Sequence, residues 1–167
     1  MSKGNSGLFK GTIGEKRENK KIEEELKEEA INAVKELIEK TPKAKKRGAF
    51  VGAYDIDTGH VEADVSGKVP ENIHPELKEL AEKRVGEIGS LGLTERNTVG
   101  KCAEFNVVNK MLNAGCEYKH IRLTKAFRFQ NKPKKWESFP YCENCLGMFK
   151  EILDIDENKI ILEVDKK

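Results

Sequence analysis

The chain of 167 residues carries 31 Lys+Arg against 29 Asp+Glu, a formal net charge of +2, with 37% hydrophobic and 7% aromatic residues. That length fits one domain with a core of its own, and no apolar run approaches the roughly 18 residues of a membrane span. No apolar segment follows Met1 as in an ordinary signal peptide, and 4 cysteines are too few at this length for a disulfide scaffold.

Residues 1–14 hold four glycines and no periodicity, and read as a flexible lead. Over 15–40, Ile22, Leu26, Ala30, Val34, Leu37 and Ile38 recur at helical spacing, and Pro42 ends the pattern. The cluster Lys43, Lys45, Lys46 and Arg47 reads as a solvated connection. Residues 48–56 and 60–65 form a predicted hairpin around Asp57-Thr58-Gly59, although Gly52 weakens the first strand. A helix is expected from Pro75 to about Gly89, then a glycine-containing loop over 89–100. A further helix starts near Lys101 and stops at Gly115. Residues 117–129 alternate as one strand, 130–140 read as a basic loop around Trp136, a helix runs from Cys142 to about Leu153, and 159–164 form a last strand. The segments 1–14, 15–47 and 48–167 are a lead, a helix with its connection, and the main domain.

The near-neutral total hides an uneven distribution. Residues 48–100 carry 5 basic and 10 acidic side chains, whereas 101–150 carry 10 basic and 4 acidic, net +6. The basic segment also holds all 4 cysteines and the single Trp. A basic surface around a site that handles an anion fits this pattern.

Two motifs lie at predicted helix starts: Cys102-Ala103-Glu104 and Pro140-Tyr141-Cys142-Glu143-Asn144-Cys145. Each alone is a weak signal, but together they supply three thiolates and a carboxylate. Catalytic Zn2+ takes three protein ligands and leaves one position for water. Helix N-termini lower thiol pKa values. Cys102, Cys142 and Cys145 are therefore the candidate zinc ligands, and Glu104, two residues past a ligand, is the candidate proton carrier. Zinc nucleobase deaminases use this combination: three His or Cys ligands with a Glu that is not a ligand. Two other readings stand beside it. One is a structural site that adds Cys116, although the cysteines are separated by an irregular 13, 25 and 2 residues. The other is a set of cysteines without metal.

The two motifs, with Tyr54-Asp55, Thr58-Gly59, Val65-Ser66-Gly67 and Ile73-His74-Pro75, resemble the cytidine deaminase-like superfamily and within it the YwqJ-like deaminases of bacterial polymorphic toxins. Gly7-Leu8-Phe9-Lys10-Gly11-Thr12 resembles the junction that precedes such toxin domains. The resemblance covers about residues 48–164. It implies a three-layer α/β/α fold, with a mixed sheet of four to five strands and zinc between two helix N-termini. It implies Cys102, Cys142 and Cys145 as ligands and Glu104 as proton shuttle. It further implies a secreted effector domain acting in the target-cell cytoplasm and a cognate immunity protein. The domain is expected to be a monomer.

The expected activity is hydrolytic deamination of cytosine in DNA or RNA. Trp136, Phe139 and Tyr141 are candidate stacking residues for an extruded base. Lys132, Lys134 and Lys135 are candidate phosphate contacts. Asn97 stands where deaminases often place a polar substrate contact. His74, before Pro75, reads as a cap or pocket-wall residue. A free nucleoside or nucleotide deaminase would use the same zinc site without needing the basic surface. A non-catalytic zinc-stabilised module would not need Glu104.

Overall fold

The computed structural model describes residues 13–131 and 134–164, with side chains from Ile22 onward except that of Lys45. Most of the expected lead, and Lys132, lie outside the described residues. Among them, no helix is long and apolar enough to cross a membrane.

Helix α1 spans Ile13–Lys40. Leu26, Ala30, Val34 and Ile38, four residues apart, are all buried on one stripe. The Thr41 amide and hydroxyl both donate to the Leu37 carbonyl, at 3.0 and 2.6 Å, and close the helix before Pro42. The expected hairpin is present as β1 (Phe50–Asp55) and β2 (Val61–Val65). Side chains of β1 alternate. Phe50 and Tyr54 pack toward α1, while Val51 and Ala53 enter the core on the other face. Gly52 is there for a reason other than strand weakness: a Cβ on it would lie 2.7 Å from the Ala30 carbonyl oxygen, so the glycine lets α1 lie close on the strand. Lys27 adds a 2.7 Å ion pair to Asp154, tying α1 to the far end of the chain.

The other face of the sheet carries α2 (Pro75–Arg84), α3 (Ala103–Asn113) and α4 (Glu143–Met148). His74 caps α2, its Nδ1 accepting from the Glu76 amide at 3.1 Å. Helix α2 ends earlier than expected, where Val85 and Gly86 both turn back to the Ala81 carbonyl and Gly86 takes φ +147. Gly115, at φ +98, ends α3 as expected. Helix α4 is also shorter than expected. The chain turns back after Phe149 so that the Ile152 carbonyl accepts from the Leu123 amide at 2.8 Å.

Two expectations over 117–140 are corrected. The single strand 117–129 is a 3-10 turn (Tyr118–His120) followed by β3 (Ile121–Leu123) and β4 (Ala126–Asn131). Both strands lie along β1. Between the pairs Ala53↔Leu123 and Phe50↔Phe127, Val51 and Gly52 face Thr124, Lys125 and Ala126, which is one residue too many. The excess is a β-bulge. Thr124 keeps the ladder satisfied there, donating its amide to the Gly52 carbonyl and accepting the Gly52 amide at its hydroxyl, both at 2.9 Å. The basic loop is instead β5 (Lys134–Phe139), paired with β4 over six positions. With β6 (Ile161–Leu162), these strands make a six-stranded sheet of order β2-β1-β4-β5-β6, with β3 also on β1. Every pairing is antiparallel, so the expected mixed sheet of four to five strands is replaced. The β4–β5 hairpin accounts for the difference, since it returns the chain directly beside β4 without a crossover. The α/β layering is as expected: α1, sheet, then α2 to α4.

Candidate metal centre

Cys102 is the N-cap of α3 and Cys142 the N-cap of α4, and Cys145 lies in the first turn of α4. The Cys102 thiol makes no cap bond to α3, while the Cys142 sulfur faces the first amides of α4. The three sulfurs lie within 4.8 Å of one another, and Cys102 Sγ is 3.5 Å from Cys142 Sγ. Sulfurs bound to zinc at ~2.3 Å in a tetrahedron stand ~3.8 Å apart. The spacing therefore fits a metal, and the three cysteines are close enough to hold one. Cys145 is buried, and the other two are half-buried.

The donor chemistry points the same way. Cys142 is held as a thiolate, its pKa drawn down to about 2, because the Cys102 and Cys145 thiols donate to it and the Cys145 and Asn144 amides of α4 face it. The same contacts work against the others. Cys102 is pushed up to about 12, chiefly by its bond to Cys142, and Cys145 is pushed up by Cys102, Cys142 and burial. Three sulfurs thus share one negative charge, and a cation between them is what allows all three to ionise.

Glu104 is 4% exposed, and burial pushes its carboxyl up to about 7. Its own main-chain amide opposes this shift, the charge of Cys142 adds to it, and Cys145 and Arg128 oppose it. The result is a carboxyl beside the sulfurs that gives and takes a proton near neutral pH.

Two asparagines, Asn106 and Asn144, brace the centre, and Asn109 holds the 72–74 segment on α3. Asn106 Nδ2 donates to the Lys68 carbonyl at 2.9 Å and to the Cys102 carbonyl at 3.0 Å. Asn109 accepts the His74 amide at 2.8 Å and donates to the Asn72 carbonyl at 2.9 Å. Asn144, inside the second cysteine motif, is 1% exposed. It accepts the Leu93 amide at 2.8 Å and donates to the Asn97 carbonyl at 3.0 Å and the Leu91 carbonyl at 3.3 Å. This pins the 89–100 loop against α4. Gly92, at φ +58, is the residue that lets Asn144 in, since a Cβ there would sit 2.6 Å from its Oδ1.

The candidate substrate residues divide. Phe139 lies three residues before Cys142 and is 36% exposed, with the Arg128 guanidinium 5.7 Å from its ring centre. Lys135 shares that side of β5 but is bonded to Glu137 at 3.1 Å. Trp136 does not join the site. It faces α1, edge-on to Phe50 at 5.3 Å, and is buried there because β5 is a strand whose alternate side chains turn to opposite faces. Lys134 shares the side of Trp136 for the same reason. The Tyr141 hydroxyl is spent on structure, donating to the Thr124 carbonyl at 2.8 Å and accepting the Asp154 amide at 3.1 Å. Asn97 is exposed and meets the centre only through its carbonyl, on Asn144. Cys116 lies at the other end of α3 with Asp55 and Thr58, outside the trio.

Sequence reasoning passed over Asn144 and Arg128. Asn144 was named only as part of the second cysteine motif, and the helix start that follows Cys142 was the available signal that its side chain points inward. Arg128 lay inside a strand expected only for its apolar face. Compared with known proteins, the chain matches no family model, no curated protein and no solved structure.

Proposed function

We propose that the chain is a zinc-dependent hydrolytic deaminase of nucleobases, acting on cytosine within nucleic acid, and that it serves as a bacterial toxin effector neutralised by an immunity protein. The observation that carries the enzymatic part is the buried Glu104 carboxyl, raised to about 7 and set beside three converging cysteines. A purely structural site has no use for an ionisable group kept out of water at this cost. Cys102, Cys142 and Cys145 would hold Zn2+ and leave it a fourth position. Zinc bound there supplies Lewis acidity, which brings the pKa of water from ~15.7 to about 7.

The remaining chemistry belongs to Glu104. Hydrolytic deamination moves both protons of the water: one goes to the ring nitrogen as hydroxide adds at C4, and the second, from the hydroxyl formed there, goes to the departing amine, which leaves as ammonia. A single carboxyl with a pKa near the working pH serves each transfer in turn. Glu104 is 4% exposed and lies beside Cys145 at 1%, which limits bulk water at that carboxyl.

The test is to sequence DNA and RNA from cells expressing the wild type and Glu104→Ala. Cytosine-to-uracil changes, read as C-to-T, are expected with the wild type and absent from the variant. Equal base-change frequencies in the two, with both proteins folded and metal-loaded, overturn the reading.

A further inference from the structure

We infer that Arg128 is a specificity-determining residue that receives a substrate phosphate beside the cysteine–Glu104 site, with Phe139 holding its guanidinium in place. The inference rests on the proposed nucleobase chemistry and assigns the site a subsite of its own.

Four observations carry it. The first is position. Phe50↔Phe127 is the last pair between β1 and β4, so Arg128 stands on the part of the β4–β5 hairpin that projects past β1. It faces the side of the sheet that carries α2 to α4, because its neighbours Phe127 and Phe129 face Trp136 and α1. The second is its freedom. Glu137 is the cross-strand partner of Arg128, but its carboxylate is engaged by Lys135 at 3.1 Å and Lys159 at 3.4 Å. Among the described residues Arg128 makes no ion pair, and it is exposed.

The third observation is its mounting. The guanidinium lies 5.7 Å from the centre of the Phe139 ring, a cation–π contact that fixes it without using its N–H donors. Phe139 in turn leads within three residues to Cys142. The fourth is placement: the Ser66 amide donates to the Ala49 carbonyl and the Gly67 amide to the Lys101 carbonyl, both at 2.9 Å, so the end of β1 that Arg128 passes is the end at which Cys102 opens α3. A planar, permanently charged fork with no donor spent on the described residues is suited to two phosphate oxygens. The surrounding segment 101–150, at 10 basic to 4 acidic residues, supplies the complementary field.

A phosphate reaches such a subsite from a polynucleotide or from a free nucleotide, and binding measurements separate the two. The zinc-loaded wild type, Arg128→Ala and a distant control, Lys119→Ala, are titrated with a fluorescent single-stranded oligonucleotide over a range of salt, and with cytidine monophosphate. Arg128→Ala is expected to weaken the phosphate-bearing probe about tenfold. On the oligonucleotide it should also reduce the log–log salt slope by about 1. Lys119→Ala should change neither. Weakening of the oligonucleotide assigns the subsite to a strand, and weakening of the monophosphate alone assigns it to free nucleotides. Wild-type behaviour of Arg128→Ala with both probes overturns the inference, as does an equal effect of Lys119→Ala. Because these are binding readouts, weakened binding by Arg128→Ala in a protein that deaminates nothing would keep the phosphate subsite and remove the deaminase reading.

Discussion

The two ends of α3 each pair cysteine with a buried carboxylate, and they handle it in opposite ways. At the C-terminal end, Asp55 is fully buried, and its Oδ1 accepts the Asp57 and Thr58 amides at 2.7 and 2.9 Å. Burial disfavours its charge, but those amides outweigh burial and hold the carboxyl below its usual range. Its neighbour Cys116 stays a thiol, pushed up to about 11 by burial and by Asp55. At the N-terminal end, Glu104 has comparable burial without such a turn around it, and it rises to about 7. Burial alone does not set the charge of a carboxylate; how far fixed donors offset it does. The first end is a strut that closes the β1–β2 turn, and the second holds the proposed proton carrier.

The sharpest way to break this contrast is to remove each carboxylate. Glu104→Ala should lower deamination by about 10²–10⁴-fold while zinc content is retained, whereas Cys142→Ala should lose the metal. Steady-state rates and metal analysis of the purified variants read both outcomes.

A second test uses stability. In chelator-treated protein, Glu104 keeps its proton in the folded state between about pH 4.5 and about pH 7. Stability therefore falls as pH rises through that window, and the full cost is present above it. Glu104→Gln should remove the cost and stabilise the metal-free protein at pH 8 by up to about 3 kcal/mol, read by denaturant unfolding.

Asp55 should behave with the opposite sign. Its pKa is lowered on folding, so its contribution is complete above about pH 4 and is lost as pH falls below that. Asp55→Ala should cost about 1–3 kcal/mol at pH 7, and the gap to wild type should narrow in acid. The smallest effect is expected from Cys116→Ala. A loss of about 1 kcal/mol, with unchanged zinc content, would keep that cysteine out of the centre.

Much of the site was legible because metal chemistry limits the choice of residue. Cys102, Cys142 and Cys145 were placed at helix starts from local patterns alone, and the structure brings their sulfurs together. Helix α1 and the first hairpin were legible for a related reason: one stripe or one turn signal dominates each. The β4–β5 hairpin was not. Along Lys134–Phe139 only Trp136 and Ser138 are buried on the α1 side, and the lysines with the buried Glu137 gave the segment the composition of a loop. The bulge at Thr124–Lys125 was hidden because apolar alternation resumes after it, with the register shifted by one residue. Trp136 was misplaced as a consequence. An aromatic on a loop before a cysteine motif lines a site, whereas the same residue on a strand goes to whichever face the pleat dictates.

The direct test of the central claim is the metal's coordination shell in the purified protein, read by X-ray absorption at the zinc edge. The account predicts three sulfur neighbours at about 2.3 Å and one oxygen or nitrogen at about 2.0 Å, unchanged in Cys116→Ala. Four sulfur neighbours would make the centre structural and contradict it.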